Sequence, residues 1–450
     1  MSVSAFDSFI TRGWYNADAR ILWSDQSTLR FWLKVEGTLA IAQSELGMIP
    51  PDAARVIAEK AGACELDHER LSREIDFAQH PFVPVLRQFE EQCGESAAGY
   101  IHWGATTQNI FDTACSLQML ETHRLTTGFL SAAIDCLADL AERHKATLQA
   151  GRTHGQHALP MTFGFKLAGW IDELVRDCRR LDERPAASFV ASMGGAIGTF
   201  SAMNGQGSEV ERRVAQKLGL VAAGLPARAS YDRVNDYVSA LCLLAATVEK
   251  IARDIVFLQR TEIGEVEEAF HPGKVGSSTM AQKRNPATAL MLVSLCRMLR
   301  ARGTLLLECM VRMDEGDSSS SNVSDGTLPE VGVLAVSIAE NLAKLARGLV
   351  AHPAAMARNI SLTSGLIVSE AVMMQLTSKM GRHQAHHLLY EASQRTIAEG
   401  IPFLQAIQEH SLLKSDPRPA DLNEALSLGG YIGESIRLAE ETVARTRRPS

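Results

Sequence analysis

Apolar residues recur at alternating steps of three and four along several long stretches of the chain. The most regular stretch covers residues 232 to 262, where the pattern continues for more than three heptads. Its apolar positions are Val234, Tyr237, Leu241, Leu244, Val248, Ile251, Ile255 and Leu258. At about 1.5 Å per residue, the pattern predicts a helix on the order of 45 Å long. Such a seam needs partners along its whole length, in the same chain or in another.

Four further long helices are predicted at 111–149, 163–184, 284–313 and 328–350. Together with the first helix they predict an antiparallel bundle, and the length of the seam also favours contacts between subunits. The sequence therefore predicts an all-α fold with a central long-helix bundle.

The segments on either side of the bundle are predicted to be helical too. In the N-terminal segment, Phe31, Val35, Leu39 and Ala42 predict a helix that ends before Pro50. A set of shorter helices is predicted at the C-terminal end. The expected domains are an N-terminal domain at 1–110, a central domain at 111–350 and a C-terminal domain at 351–450.

A polar loop interrupts the long helices at residues 272–286, with the sequence PGKVGSSTMAQKRNP. Its glycines and its two prolines exclude a buried helix or a regular strand. Ser277 and Ser278 supply hydroxyls, Lys283 a fixed positive charge and Asn285 an amide. This combination suits the handling of an anionic substrate, whereas an ordinary solvated loop is the alternative.

Two further polar islands precede long apolar segments. In the first, at 104–113, Thr106 and Thr107 stand where helix N-caps are expected, and a helix N-terminus can also bind a carboxylate. In the second, at 151–164, His154 and His157 are three residues apart. Because no acidic residue or cysteine lies at ligand spacing, an acid/base or hydrogen-bonding role is favoured over a metal pair.

Three other polar or glycine-rich features have simple structural interpretations. His80 precedes a proline, where a histidine is more often a helix cap or a loop contact than a catalytic group. The glycine-rich stretch 194–198 lacks the spacing of a dinucleotide fingerprint and is interpreted as a close-packing turn. Residues 314–326 are acidic and rich in serine, which predicts a flexible loop.

Composition and the N-terminal sequence favour a cytoplasmic protein. The formal net charge of -7 gives no large basic field, so neither nucleic acid nor a membrane surface is an expected partner. The N-terminal sequence has no secretory leader pattern, and no run of 18 apolar residues occurs. The eight cysteines are far apart, which favours reduced thiols.

The three polar islands resemble the signature regions of the fumarase/aspartase superfamily in sequence, order and spacing. Residues 276–286, GSSTMAQKRNP, are close to that family's signature loop. The Trp23-Ser-Asp start, the approach from Glu265 to Gly276 and the stretch at 381–389 are most similar to the 3-carboxymuconate cycloisomerase branch. Residues 151–158, GRTHGQHA, are similar to the adenylosuccinate lyase branch instead.

The resemblance implies a three-domain helical fold and a homotetramer with a 20-helix core. In this family each active site is assembled from three subunits, and the substrate is a small dicarboxylate. The reaction is an anti elimination across a succinyl unit that releases fumarate. The resemblance implies no organic cofactor and no metal.

The resemblance also assigns roles to residues of this sequence. Ser277 would be the base that removes the proton, and His154, assisted by His80, would protonate or orient the leaving nitrogen. Lys283 would stabilise the anionic intermediate together with Asn285. The remaining implied substrate-binding positions are Thr106, Thr107, Gln156, Ser278 and Met280.

Three departures from the family pattern affect the expected function. Ala281 replaces the usual proline of the loop, and Asn109 replaces the more usual aspartate. Residues 314–326 lack the arginine-rich pattern with which adenylosuccinate lyases hold a phosphate, which disfavours AMP-sized substrates. His154, which the cycloisomerase branch often lacks, favours a true lyase.

The leading hypothesis is a carbon–nitrogen lyase that cleaves an N-substituted aspartate-like substrate into fumarate and an amine. The alternatives are a lactonising 3-carboxy-cis,cis-muconate cycloisomerase and an adenylosuccinate lyase proper. A non-catalytic structural role, as in lens crystallins, is a further alternative. The joint presence of Ser277, Lys283, Asn285 and His154 argues against that role.

Overall fold

The computed structural model describes residues 5–270, 273, 277–413, 422 and 425–447, and these are mostly helical. The helices are α1 (Ala17–Leu22), α2 (Asp25–Ser44), α3 (Pro51–Ala63), α4 (His68–Ala78), α5 (Phe82–Cys93), α6 (Glu95–Ala98), α7 (Thr107–Arg143), α8 (Phe163–Asp182), α9 (Pro185–Ser188), α10 (Gly207–Leu218), α11 (Asp232–Leu258), α12 (Ala287–Glu308), α13 (Ser318–Gly348), α14 (Pro353–Ile360), α15 (Ser369–Met380), α16 (Arg382–Glu399), α17 (Phe403–Gln408) and α18 (Ser435–Thr446). Within the described part of the chain, no helix is both long enough and apolar enough to cross a bilayer.

In the described part of the chain, short strands form three pairs between these helices. The pairs are β1 (Leu148–Thr153) antiparallel to β2 (Gln156–Thr162), β3 (Val190–Ala191) parallel to β4 (Val221–Ala222), and β5 (Val266–Glu267) antiparallel to β6 (Val350–Ala351). The polar island at 151–164 is therefore mostly a β-hairpin, which the sequence analysis did not predict.

Residue contacts divide the chain into two compact units that are interleaved along the sequence. The first unit contains Met1–Leu130, Asp177–Val248 and Ser294–Asn341. The second unit contains Ser131–Arg176, Glu249–Val293 and Leu342–Ser450. The division into domains at 1–110, 111–350 and 351–450 stays a prediction.

The first unit has a core in which α2 and α3 pack closely. A Cβ atom built on Gly37 would lie 2.8 Å from the Cβ atom of Ala61, so only a glycine fits this contact without a shift. The predicted apolar positions Val35 and Leu39 are buried in this core, which confirms the predicted helix. That helix ends at Ser44, before the proline pair.

The glycine-rich stretch at 194–198 forms a tight turn in the first unit, as predicted. A Cβ atom on Gly194 would lie 2.6 Å from both the Cα atom of Gly198 and Cγ of Pro226. Gly198 has a φ of +88° and would place a Cβ atom 2.4 Å from the Pro226 carbonyl oxygen. Close backbone approach therefore explains these glycines.

The apolar seam of α11 is buried, as its heptad pattern predicted. Seven of its eight positions are at most 2% exposed, and Val234 is half-buried. The helix ends at Leu258, a few residues earlier than predicted.

The prediction of a flexible loop at 314–326 is wrong from Ser318 onward, because α13 begins there. Asp317 caps this helix: one carboxylate oxygen accepts the amide hydrogen of Ser319 at 2.9 Å, and the other accepts the Ser320 hydroxyl at 3.1 Å. Ser320, Ser324 and Thr327 are buried. Tertiary burial therefore overrides the weak helix propensity of serine at these positions.

The second unit has its own core, formed by the C-terminal helices and the hairpin. Ala150 of β1 is 1% exposed and packs into the same cluster as Ile360, Val372 and Leu388. The hairpin that carries His154 is thus fixed at its base by core packing.

Candidate active site

The described part of the loop at 272–286 places Ser277 at the start of a tight turn. The Ser277 Oγ accepts hydrogen bonds from the backbone amides of Thr279 at 3.4 Å and Met280 at 3.1 Å. Two amide donors on one hydroxyl oxygen favour its ionised form. Residues 272 and 274–276, which include one of the two glycines of the loop, lie outside the described residues.

The other candidate residues of this loop are at least partly exposed to solvent. Ser278, Met280 and Lys283 are exposed, and Asn285 is half-buried. The backbone amide of Lys283 donates to the Met280 carbonyl oxygen at 3.0 Å, which closes the turn. No ion pair within the described residues engages the Lys283 ammonium group, so this charge is available to a ligand.

The C-terminal end of the loop is fixed to a short acidic segment, residues 265–268. Arg284 donates to Glu267 at 2.8 Å, and its guanidinium group lies 4.5 Å from the centre of the Phe270 ring. Glu268 accepts the amide hydrogens of Thr288 at 3.1 Å and Ala289 at 2.7 Å. The start of α12, directly after the loop, is therefore capped by a carboxylate from this segment.

His154 lies at the tip of the β1–β2 hairpin. The last paired residues are Thr153 and Gln156, which leaves His154 and Gly155 as a two-residue turn. Both turn residues have positive φ values, +52° and +79°, as a type I′ turn requires. His154 and Gln156 are exposed, so both side chains are accessible to a ligand.

The second histidine of this hairpin, His157, differs from His154 in its environment. It is half-buried, and burial lowers the pKa of its imidazole, with a further contribution from Arg152. Its Nδ1 atom is buried without a hydrogen-bond partner within the described structure. Among the described residues, no cluster of three or more histidine, cysteine or acidic side chains is arranged to hold a metal ion.

The buried carboxylate of Glu265 holds the hairpin in place through hydrogen bonds. Its two oxygens accept hydrogen bonds from Arg152 at 2.5 and 3.1 Å, from Gln149 at 2.7 Å and from Asn359 at 2.8 Å. Burial alone would raise the pKa of Glu265, but these hydrogen bonds outweigh it and hold the pKa below its usual value. The acidic segment therefore holds both the histidine hairpin and the end of the serine loop.

The first polar island begins α7, and its N-terminus has a capping-box contact. The side-chain oxygen of Asn109 accepts a hydrogen bond from the backbone amide of Thr106 at 3.1 Å and another from the backbone amide of Gly195 at 3.0 Å. Asparagine therefore accepts both of the hydrogen bonds that an aspartate would accept at this position. Thr107 opens the helix, so its amide points outward and is available to an anion.

His80 is a helix cap, as the sequence favoured. Its Nδ1 atom accepts hydrogen bonds from the backbone amides of Phe82 at 3.2 Å and Val83 at 3.3 Å, at the start of α5. A ring nitrogen that accepts hydrogen bonds carries no proton, so in this arrangement the ring proton is on Nε2.

The candidate residues fall into two groups. The first unit contains His80, Thr106 and Thr107, and the second contains the remaining seven positions, which are His154, Gln156, Ser277, Ser278, Met280, Lys283 and Asn285. Among the described residues, no hydrogen bond joins Ser277 to His154.

Sequence reasoning missed the supporting carboxylates Glu265, Glu267 and Glu268. The available signal was the run Glu-Val-Glu-Glu immediately before the loop. The partners of Glu265, Arg152 and Asn359, are about a hundred residues away along the chain, so these contacts cannot be inferred from the sequence alone.

Comparisons with known proteins identify the family of the chain. The model of the family described as lyase matches residues 16–300, and the model of the adenylosuccinate lyase C-terminus matches residues 365–442. The chain belongs to the fumarase/aspartase superfamily of lyases. It is therefore an enzyme with the predicted helical fold of that superfamily.

Individual members of the superfamily match over almost their whole length. The chain is 36% identical to an N-acetyl-S-(2-succino)cysteine lyase of Dickeya dadantii, over 95% of this chain and 94% of that protein. It is 35% identical to an adenylosuccinate lyase of Methanocaldococcus jannaschii, over 95% and 93%. The crystal structure of the 3-carboxy-cis,cis-muconate lactonizing enzyme of Pseudomonas putida superposes with a TM-score of 0.90 at 30% identity, covering 97% of this chain and 98% of that one.

Proposed function

We propose that the protein catalyses an anti β-elimination from an N-substituted aspartate-like substrate, which breaks a carbon–nitrogen bond and releases fumarate and an amine. The observation that carries the proposal is the position of Ser277 Oγ, which accepts two backbone amide hydrogen bonds at 3.4 and 3.1 Å. A serine hydroxyl is a weak base at neutral pH. Amide donors that stabilise its alkoxide form make proton abstraction feasible.

In the first step, Ser277 takes the proton from the carbon next to one carboxylate of the succinyl unit. The electron pair of the broken C–H bond moves into that carboxylate and forms a dianionic aci-carboxylate. Lys283 and Asn285 bind this group, and because its charge grows along the reaction they stabilise the transition state more than the bound substrate.

In the second step, the electron pair returns to form the double bond of fumarate, and the carbon–nitrogen bond breaks. Its electrons pass to the nitrogen, which takes a proton from His154. The Nε2 proton of His80 orients the leaving group. Thr106, Thr107 and Gln156 hold the substrate carboxylates, where the N-terminus of α7 favours negative charge.

The proposed active site also requires the association of several subunits. Because the candidate residues lie in two units and Ser277 makes no hydrogen bond to His154, we include in the proposal a homotetramer whose active sites combine segments of different subunits. The exposed position of His154 at a hairpin tip supports this arrangement.

A second candidate is elimination across a carbon–sulfur bond of a succinylated thiol. Support comes from the 36% identical relative, named as an N-acetyl-S-(2-succino)cysteine lyase. A thiolate leaves without prior protonation, so this reaction depends less on His154. Adenylosuccinate cleavage and muconate lactonisation have support from a 35% identical relative and from a structure that is 30% identical.

The proposal is tested by following fumarate absorbance with purified protein and a panel of substrates. The panel contains N-alkyl aspartates, an S-(2-succino)cysteine, adenylosuccinate and 3-carboxymuconate. We expect fumarate from at least one N-alkyl aspartate. Turnover of carboxymuconate with no fumarate from any other compound would overturn the proposal, and inactivity towards all four would favour a non-catalytic role.

A further inference from the structure

A cavity of about 210 Å³ lies within the first unit, behind two of its candidate site segments. Pro81, which follows His80, forms part of its wall, as do Phe111 and Asp112 in the first turns of α7. The other principal walls are Trp23, Trp32 and Asp325. The cavity therefore adjoins the segment that carries His80, which the proposed mechanism assigns to the leaving group, and the first turns of α7, whose N-terminus is proposed to bind a carboxylate.

Packing fixes the aromatic walls of this cavity. The rings of Trp32 and Phe111 stack with their centroids 4.2 Å apart and 11° between their planes. The indole nitrogen of Trp23 donates to the Thr122 hydroxyl at 3.0 Å, and a Cβ atom on Gly332 would lie 2.2 Å from that nitrogen. Rigid aromatic walls of this kind bind flat, apolar or cationic groups.

The charged groups of the cavity are acidic. Among the described residues that line it there is no lysine, arginine or histidine, whereas Asp112 and Asp325 both contribute carboxyls. Gln108 donates to Asp112 at 2.6 Å, and the described structure gives Asp325 no hydrogen bond or ion pair. The nearby Arg312 stacks on the Tyr231 ring at 4.3 Å and donates to the Cys309 carbonyl oxygen. Its charge lowers the pKa of both carboxyls, but within the described residues it forms an ion pair with neither.

These carboxyls are kept in an unfavourable environment. Burial raises the pKa of Asp112 to about 6, with Gln108 and Arg312 opposing the shift, and burial also raises the pKa of Asp325. A carboxylate without a matching cation reduces stability, and such groups are concentrated where function requires them. A bound cation would supply the direct ion pair that both carboxyls lack within the described residues.

We propose that this cavity receives the leaving group of the substrate and selects a cationic or neutral one over an anionic one. The inference rests on the proposed elimination. An apolar cavity of about 150 Å³ holds one benzene molecule, so this cavity accommodates a group of about one ring with a short substituent. A phosphate or carboxylate on the leaving group would meet two carboxylates and is disfavoured.

Direct binding tests the cavity independently of catalysis. Titration calorimetry would compare benzylamine with benzoate, two single-ring probes of opposite charge. We expect benzylamine to bind the wild type and to bind Asp325→Asn about tenfold more weakly, whereas benzoate binds at least tenfold more weakly than benzylamine. Asp52→Asn, whose side chain is 97% exposed, is the matched control and should bind benzylamine like the wild type.

Equal affinity for the two probes would overturn the proposal, as would unchanged benzylamine affinity in Asp325→Asn. The thermal midpoint of each variant identifies misfolding, and Asp112→Asn is a second variant with the same expected loss of benzylamine affinity.

Steady-state kinetics then distinguish a failure of the cavity proposal from a failure of the proposed elimination. The matched substrates are N-(4-aminobutyl)aspartate and N-(3-carboxypropyl)aspartate. We expect kcat/KM to favour the first by at least about tenfold, and Asp325→Asn to remove most of that preference. Equal kcat/KM values in the wild type would overturn the cavity assignment. Absence of fumarate from both substrates, with benzylamine binding intact, would instead overturn the elimination and with it the leaving-group role.

Discussion

His154 adopts a backbone conformation that few residues other than glycine favour. Its φ of +52° in a two-residue turn before Gly155 is a position where asparagine is the preferred residue, because Asn-Gly is the most favourable type I′ sequence. His154→Asn should therefore leave the hairpin as stable as before, or more so, while it removes the imidazole. A histidine at a position where the turn favours asparagine is consistent with the proposed role of the imidazole in the reaction.

We expect His154→Asn to keep or raise Tm and to lower kcat about 10²- to 10⁴-fold for an amine leaving group. Thermal unfolding and fumarate release measure the two effects. A variant with a lower Tm and an almost unchanged kcat would mean that His154 serves the turn and not the reaction.

His123 provides a pH-dependent contribution to stability. It is hydrogen-bonded to the hydroxyl of the buried Tyr237 at 3.1 Å, and burial lowers its pKa despite the opposing effect of Asp182. The unfolded chain then binds more protons than the native state between that lowered pKa and about 6.5, so the native state loses stability as pH falls through this window.

In His123→Gln this contribution is absent, because glutamine does not titrate. We expect the fall in Tm between pH 7.5 and pH 5.5 to be smaller in the variant than in the wild type. His144 and His157, whose pKa values burial also lowers, should keep part of the wild-type slope. Parallel Tm profiles for the two proteins would show that His123 makes no such contribution.

At the scale of elements, the hairpin depends on the buried ion pair between Arg152 and Glu265. Glu265 is fully buried and Arg152 is 13% exposed, so removing the cation would leave an uncompensated charge in the interior. We expect Arg152→Met to lower the free energy of unfolding by about 3–5 kcal/mol. Adding Glu265→Gln should restore much of the loss, because the charge left behind disappears as well.

Denaturant unfolding of the two single variants and the double variant measures this coupling. Additive losses would mean that the pair does not act as a unit. Fumarate release in the double variant would show how far the hairpin's position, and not just its stability, depends on the pair.

Elements with a strong periodic pattern were predictable, and elements that depend on distant contacts were not. The seam of α11 carries its own signal in eight apolar positions. The first turns of α13 are rich in serine, and their helical state depends on the Asp317 cap and on burial of Ser320 and Ser324. The hairpin turn is His-Gly, which lacks the Asn-Gly signal that would have indicated it.

The same distinction applies to the site. Ser277 and His154 lie in local motifs that can be recognised in the sequence. Glu265 holds the hairpin through partners that are distant in sequence and that only folding brings together. Its structural role therefore follows from the three-dimensional structure and not from the sequence.

At the scale of the whole molecule, the proposed site needs more than one subunit. If Ser277 and His154 of one site come from different subunits, a tetramer that mixes Ser277→Ala and His154→Asn subunits contains some sites with both wild-type residues. We expect two inactive variants to regain a fraction of wild-type activity after subunit exchange. Mixed tetramers, detected by native mass spectrometry, that stay as inactive as either parent would contradict a composite site.

Replacement of Ser277 tests the proposed chemistry most directly. The side chain bonds local loop amides and is not part of either core, so Ser277→Ala should leave Tm unchanged and lower kcat for the best substrate of the panel by about 10³-fold or more. Ser378→Ala, which removes an exposed hydroxyl from α15 in the same unit, should leave both values unchanged. Fumarate release by Ser277→Ala at a rate close to wild type would show that another group removes the proton.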